Sequence, residues 1–85
     1  MFKIWAKIIS NDKIKTDYVL ESEDTFNIHR LQLYMSDICN VFDIETPVII
    51  KKHLEHFYLF NTTTFFPTDF ISSVNFDKLI IERIG

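Results

Sequence analysis

The stretch Phe2-Lys3-Ile4-Trp5-Ala6-Lys7-Ile8-Ile9 decides the fold. Phe2, Ile4, Ala6 and Ile8 fall on one side of an extended chain and Lys3, Trp5, Lys7 and Ile9 on the other, the period-two signature of a half-buried strand. Ser10-Asn11-Asp12-Lys13 supplies a tight turn, because Asn and Asp tolerate positive φ and bond to nearby backbone. Ile14 to Leu20 alternates again, with Ile14, Thr16, Tyr18 and Leu20 opposed to Lys15, Asp17 and Val19. The segment predicts an antiparallel β-hairpin with one face committed to a core.

Beyond the hairpin, Glu21 to Thr25 is a polar connector that leads into helical spacing. Ile28, Leu31, Met35, Ile38 and Phe42 recur at steps of three and four, one apolar stripe over about four turns. Asn27 is the expected N-cap, with Phe26 and Leu31 in the positions of a hydrophobic staple. Asp43 to Pro47 should end this helix, since the proline ring disfavours helical geometry at Thr46. Val48, Ile49 and Ile50 are β-branched and predict a short buried strand before a second helix over Lys51 to Phe60, which would carry Leu54, Phe57 and Tyr58 on one face. The alternative is a single helix beginning at Pro47 with Thr46 as its cap.

Thr62 to Phe66 reads as a strand broken by Pro67, which has no N–H to donate, and Pro67 to Phe70 as a turn or a single helical turn. Lys78 to Ile84 is apolar on both faces and should lie inside the sheet. The expected order is β-β-α-β-α-β-β: a single two-layer α+β domain over residues 1–85, with two helices on one face of a mostly antiparallel sheet of four to five strands.

Composition narrows the function. The chain has 85 residues, 47% hydrophobic and 15% aromatic, enough apolar material for one core. Its only glycine is Gly85, so no glycine-rich loop can cradle a phosphate. Its only cysteine, Cys39, can make neither an internal disulfide nor a thiolate zinc site. Lysines interrupt the apolar start, which is unlike a signal peptide, and no apolar run approaches the roughly 20 residues of a membrane span, so a cytoplasmic protein is expected. Residues 1–20 carry a local charge of +2 and residues 21–45 of −5, within a total of −3. That balance argues against general nucleic-acid binding, which draws its affinity from clustered Lys and Arg.

Lys3-Ile4-Trp5-Ala6-Lys7, Thr46-Pro47-Val48-Ile49, Lys52-His53, Phe57, Phe60-Asn61, Phe66-Pro67-Thr68-Asp69-Phe70 and Phe76-Asp77-Lys78-Leu79 together resemble a group of short uncharacterised bacterial proteins of similar length. The resemblance spans most of the chain and implies a bacterial cytoplasmic setting. It implies no activity, cofactor or partner.

Three features could carry chemistry. His53 and His56, three apart on the second helix with Glu55 between them, could face a metal or respond to pH, but the spacing is not that of H-E-x-x-H. His53 sits angularly at the flank of the apolar face, where a packed histidine is the simpler reading. Cys39 lies near the C-terminal part of the first helix, away from cations, and is read as a small core hydrophobe. The carboxylate pairs Glu23-Asp24 and Asp43-Glu45 fall in connectors and read as solvated charges. Trp5 is more informative: it emerges between Lys3 and Lys7 on the side away from the helices, and indoles on open faces commonly contact a partner or a cross-strand neighbour such as Lys15 or Val19. The expected protein is therefore a non-enzymatic interaction or regulatory module. It would use a partly basic, partly apolar sheet face around Lys3, Trp5, Lys7 and Lys15 to bind a protein partner or a second copy of itself, with no cofactor. A metal- or pH-responsive module using His53 and His56 is the rival.

Overall fold

In the computed structural model, which describes residues 1–85, strands β1 (Phe2–Ser10) and β2 (Lys13–Ser22) form the expected hairpin. The turn between them places Asn11 and Asp12 at φ of 53° and 61°. Two consecutive left-handed residues match the twist of the flanking strands, and Asn and Asp reach that region at least cost after glycine. The turn is tied down from outside the hairpin, since the Asn11 N–H donates to the Asp77 carboxylate at 2.8 Å.

Four antiparallel strands make one sheet in the order β2-β1-β4-β3, with β3 at Thr62–Phe65 and β4 at Lys78–Arg83. β4 lies between β1 and β3, as its two apolar faces require. The first helical segment begins at Asn27, whose side chain accepts from the His29 N–H at 3.0 Å. A 3-10 turn over Ile28–Arg30 then runs into α1 (Leu31–Phe42). α1 ends ahead of Pro47, because Asp43 adopts the left-handed conformation and turns its N–H onto the Asn40 carbonyl. α2 spans Lys51–Phe60 and closes on a left-handed Asn61.

The expected strand at Val48–Ile50 is not formed, and the order is β-β-α-α-β-β with four strands. Three residues lie between Pro47, which cannot donate, and the first turn of α2, too few to build a ladder. The segment runs extended with one outside tie, from the Val48 N–H to the Asp69 carbonyl at 2.8 Å. Ile49 turns towards the core while Val48 and Ile50 stay 48% and 47% exposed. Their β-branching therefore reports one inward side chain rather than a sheet position.

Both helices cover the same face. The inward row Phe2, Ile4, Ala6 and Ile8 forms a single cluster with Leu79 and Ile81 of β4, Phe65 of β3, Leu31, Met35, Ile38 and Cys39 of α1, Phe57 of α2, and the loop residues Phe70 and Phe76. Phe26 closes one end, its ring centroid 5.3 Å from Phe2, 5.7 Å from Tyr34 and 5.7 Å from Phe57. α2 is rotated from the expected face: it buries His53 and Phe57 and leaves Tyr58 70% exposed. No helix is long and apolar enough to cross a membrane.

This packing separates the costs of two apolar truncations. Phe57→Ala should destabilise the domain by about 3–5 kcal/mol, the usual range for emptying an aromatic core site, whereas Val48→Ala should change stability by no more than about 0.5 kcal/mol. Urea unfolding followed by circular dichroism measures both. A large cost at Val48 would mean that the segment is a sheet strand after all.

Candidate functional site

The sheet has a second face that no helix covers. Lys3, Trp5, Lys7 and Ile9 point to it from β1, with Glu21 opposite Lys3, Val19 opposite Trp5 and Asp17 opposite Lys7 on β2. From β4, Glu82 lies opposite Trp5, Ile80 opposite Lys7 and Lys78 opposite Ile9. Trp5 is half-buried at the centre of this surface. Its indole N–H donates to Asp17 at 2.9 Å. The Lys7 ammonium lies 4.2 Å from the indole centroid and 3.2 Å from the Glu82 carboxylate. This cation over an aromatic ring is also paired to a carboxylate, which fixes the lysine stem along the indole. Lys3 reaches Glu21 only at 3.9 Å, with both side chains well exposed, so that pair contributes little to stability.

Lys3, Trp5 and Lys7 thus share one row, as the alternation of β1 requires. Lys15 does not join them. A bulge between Ile8 and Ile9 shifts the register from Ile8–Thr16 to Ile9–Ile14, leaving Lys15 as the extra residue near the hairpin end. The same bulge places Ile14 opposite Ile9 instead of on the helix side with Tyr18 and Leu20. Nor is the face basic. Lys3, Lys7 and Lys78 are balanced by Asp17, Glu21 and Glu82, which the register sets beside them. Ile9 is buried without belonging to the main core cluster, which marks a second, small apolar centre on this side.

His53 and His56 do not converge. His56 is exposed beside the Phe60 ring, while His53 is only 1% exposed and stacks at 4.3 Å on the ring of Phe65. His29 lines a separate groove with Leu54 and Glu55. No group of three or more His, Cys, Asp and Glu side chains is placed to hold one ion. The His53 Nδ1 accepts from the Ile50 N–H at 3.1 Å, so the imidazole is neutral with its proton on Nε2. That nitrogen makes no hydrogen bond; the Asp69 carboxylate is 3.5 Å away and is engaged by the Phe66 N–H at 2.8 Å. At that distance Asp69 acts on His53 as a charge rather than as an acceptor. Burial lowers the His53 pKa below the ordinary histidine value, with Asp69 opposing and Lys52 reinforcing the shift.

The remaining candidates are structural. Burial pushes the Cys39 thiol up to about 11, which leaves it unreactive. Glu45 accepts from the N–H of Ser72 at 2.8 Å and from its hydroxyl at 3.1 Å, pinning the α1–α2 connector to the loop before β4. The hydrogen bond from the Ser72 backbone holds its carboxyl below the usual carboxylate value. Comparison with known family models, curated proteins and solved structures finds no match to this chain.

The His53 environment sets an acid dependence. The unfolded chain binds a proton at the ordinary value near 6.5, whereas the folded chain must first give up the Ile50 bond at the start of α2. Stability contributed by the neutral ring is therefore complete above about pH 6.5 and is lost as pH falls through that window, by up to about 1.4 kcal/mol per pH unit. His53→Gln should lower stability at pH 7 but flatten its decline between pH 6.5 and 5. Urea unfolding at stepped pH would show equal slopes for both proteins if His53 were not responsible.

Proposed function

We propose that the protein is a small non-enzymatic interaction module that works by contact through the uncovered sheet face, with a second copy of itself as the occupant. The supporting observation is the half-buried Trp5 at the centre of a face left bare by a two-layer fold. Lys3, Trp5 and Lys7 form its central row, and Lys15, the extra residue of the bulge, lies outside it.

The charge pattern favours self-association. β2 presents Glu21, Val19 and Asp17 beside the Lys3, Trp5 and Lys7 of β1, an acidic stripe next to a basic one, each centred on an apolar residue. A two-fold axis through such a face sets each basic row against the partner's acidic row and brings the apolar centres together. Trp5 is then the anchor, since large aromatic side chains dominate the energetics of contact patches. A domain of this size buries a modest fraction of its chain's surface, and association adds to its stability. The bacterial cytoplasmic setting implied by the sequence resemblance belongs to the same proposal. A pH-responsive role is the second reading, favoured by the unpartnered Nε2 of His53 facing Asp69.

Sedimentation velocity over a concentration series tests the leading reading. The wild-type chain is expected to dimerise, and Trp5→Ala or Val19→Lys to weaken the dimer by about tenfold or more, equivalent to roughly 1.4 kcal/mol, with unchanged circular dichroism. A wild-type chain that stays monomeric at millimolar concentration would refute it, as would dimerisation indifferent to both substitutions.

A further inference from the structure

The strand order leaves β3 at one edge of the sheet, and a cleft of about 370 Å³ opens along it beside α2. The Arg83 N–H donates to the Asn61 carbonyl at 2.7 Å, which makes Asn61 and Arg83 a hydrogen-bonded pair at the start of the β3–β4 ladder. In an antiparallel ladder such pairs recur at every second residue, so Thr63 with Ile81 and Phe65 with Leu79 are the next ones. Thr62 and Thr64 therefore turn their backbone N–H and C=O groups away from β4, and none of the backbone hydrogen bonds made outside the regular elements engages them. The edge presents free donors and acceptors at the two-residue repeat of an extended chain.

The walls of the cleft select the chain that fits. α2 and β3 run antiparallel across the Asn61 turn, with His53 stacked on Phe65, so Lys52, His56 and Phe60 follow one another along the edge. Lys52 takes part in none of the ion pairs, and no carboxylate side chain lines the space. Asp69, just beyond β3, is engaged by the Phe66 N–H and faces His53. Phe60 and Phe66 border the cleft while 66% and 48% exposed. Thr63 also lines it, is only 3% exposed, and has a hydroxyl without a hydrogen-bond partner. A buried hydroxyl left unpaired is costly. A residue added opposite Thr63 would direct its side chain to the same side of the sheet, beside that hydroxyl and the polar ends of Lys52 and His56. The opposite edge, β2, mixes Lys13 and Lys15 with Asp17 and Glu21 and so favours neither sign of partner.

We propose that the β3 edge receives an extended acidic peptide as a fifth strand, its carboxylates at alternate positions turned towards Lys52, His56 and the Thr63 hydroxyl, and its backbone paired with Thr62 and Thr64. Main-chain hydrogen bonds hold the added strand and the α2 wall selects its charge. Phe60 and Phe66 shield those bonds from water. This edge site is separate from the uncovered sheet face and does not depend on self-association.

Titration of the ¹⁵N-labelled full chain with acetyl-Val-Glu-Val-Glu-Val-amide, followed by amide shifts and hydrogen exchange, tests the proposal. The peptide should shift Thr62 to Phe66 saturably and slow exchange at Thr62 and Thr64, whose N–H groups gain acceptors. Two control peptides should each bind at least about tenfold more weakly: acetyl-Val-Lys-Val-Lys-Val-amide, which has the wrong charge, and the glutamate peptide N-methylated at its middle valine, which lacks a strand donor. Lys52→Glu, an exposed change in the first turn of α2 where a carboxylate suits the helix, should reverse the preference between the lysine and glutamate peptides. Thr63→Val keeps the side-chain shape and removes the unpaired hydroxyl, so it should weaken the glutamate peptide severalfold without lowering stability towards urea. Equal binding of the glutamate peptide and either control, binding unchanged in both variants, or no saturation by about 20 mM would overturn the proposal. So would protection of Thr62 and Thr64 that grows with protein concentration in the absence of peptide, which would assign the edge to a second copy.

Discussion

Strand β1 is hydrogen-bonded on both edges, to β2 and to β4, and its side chains alternate without interruption between a core and an open surface. A slip of one residue in its pairing would carry Phe2, Ile4 and Ala6 to the solvent side and bring Lys3, Trp5 and Lys7 into the core. The burial of two charged groups without partners prohibits that alternative. The sidedness of β1 therefore determines where the helices pack, which face stays bare, and that Trp5 stands among charges rather than among phenylalanines.

The elements around β1 are connected with almost no glycine. All four left-handed positions, Asn11, Asp12, Asp43 and Asn61, are held by Asn or Asp, and three of them mark the hairpin turn and the end of α1 while the fourth closes α2. The longer loops are fastened by carboxylates: Asp77 to the hairpin turn, Glu45 to Ser72, and Asp69 to the Phe66 N–H. Asp69 also faces the buried His53, so one loop carboxylate supports local geometry and the electrostatics beneath α2. Neighbouring positions of β4 serve opposite faces, Glu82 beside Trp5 and Arg83 beside Ile4.

Much of this was legible in the residues. The alternation of Phe2 to Ile9, the Asn11-Asp12 turn, the Leu31-Met35-Ile38 stripe, the span of α2 and the interior position of β4 all follow from period and turn chemistry. The residues imply the bulge as well: a two-residue turn at Asn11-Asp12 pairs even with odd positions, whereas Ile8 inward and Tyr18 inward need even with even, and only one extra residue reconciles them. The bulge leaves Lys15 unpaired near the hairpin end, while Val19 and Asp17, which share a side by alternation, stand opposite Trp5 and Lys7. The strand at Val48–Ile50 failed because propensity does not supply a pairing edge. The depth of His53 depended on Phe65, a contact between elements that no local period contains.

Trp5 is the only tryptophan in the chain, and its fluorescence reports directly on the sidedness of β1. At submicromolar concentration, below association, the emission should be intermediate between that of buried and free indole, and acrylamide should quench it readily. Blue-shifted emission that resists acrylamide under those conditions would place Trp5 inside the core and contradict the assignment of the two faces.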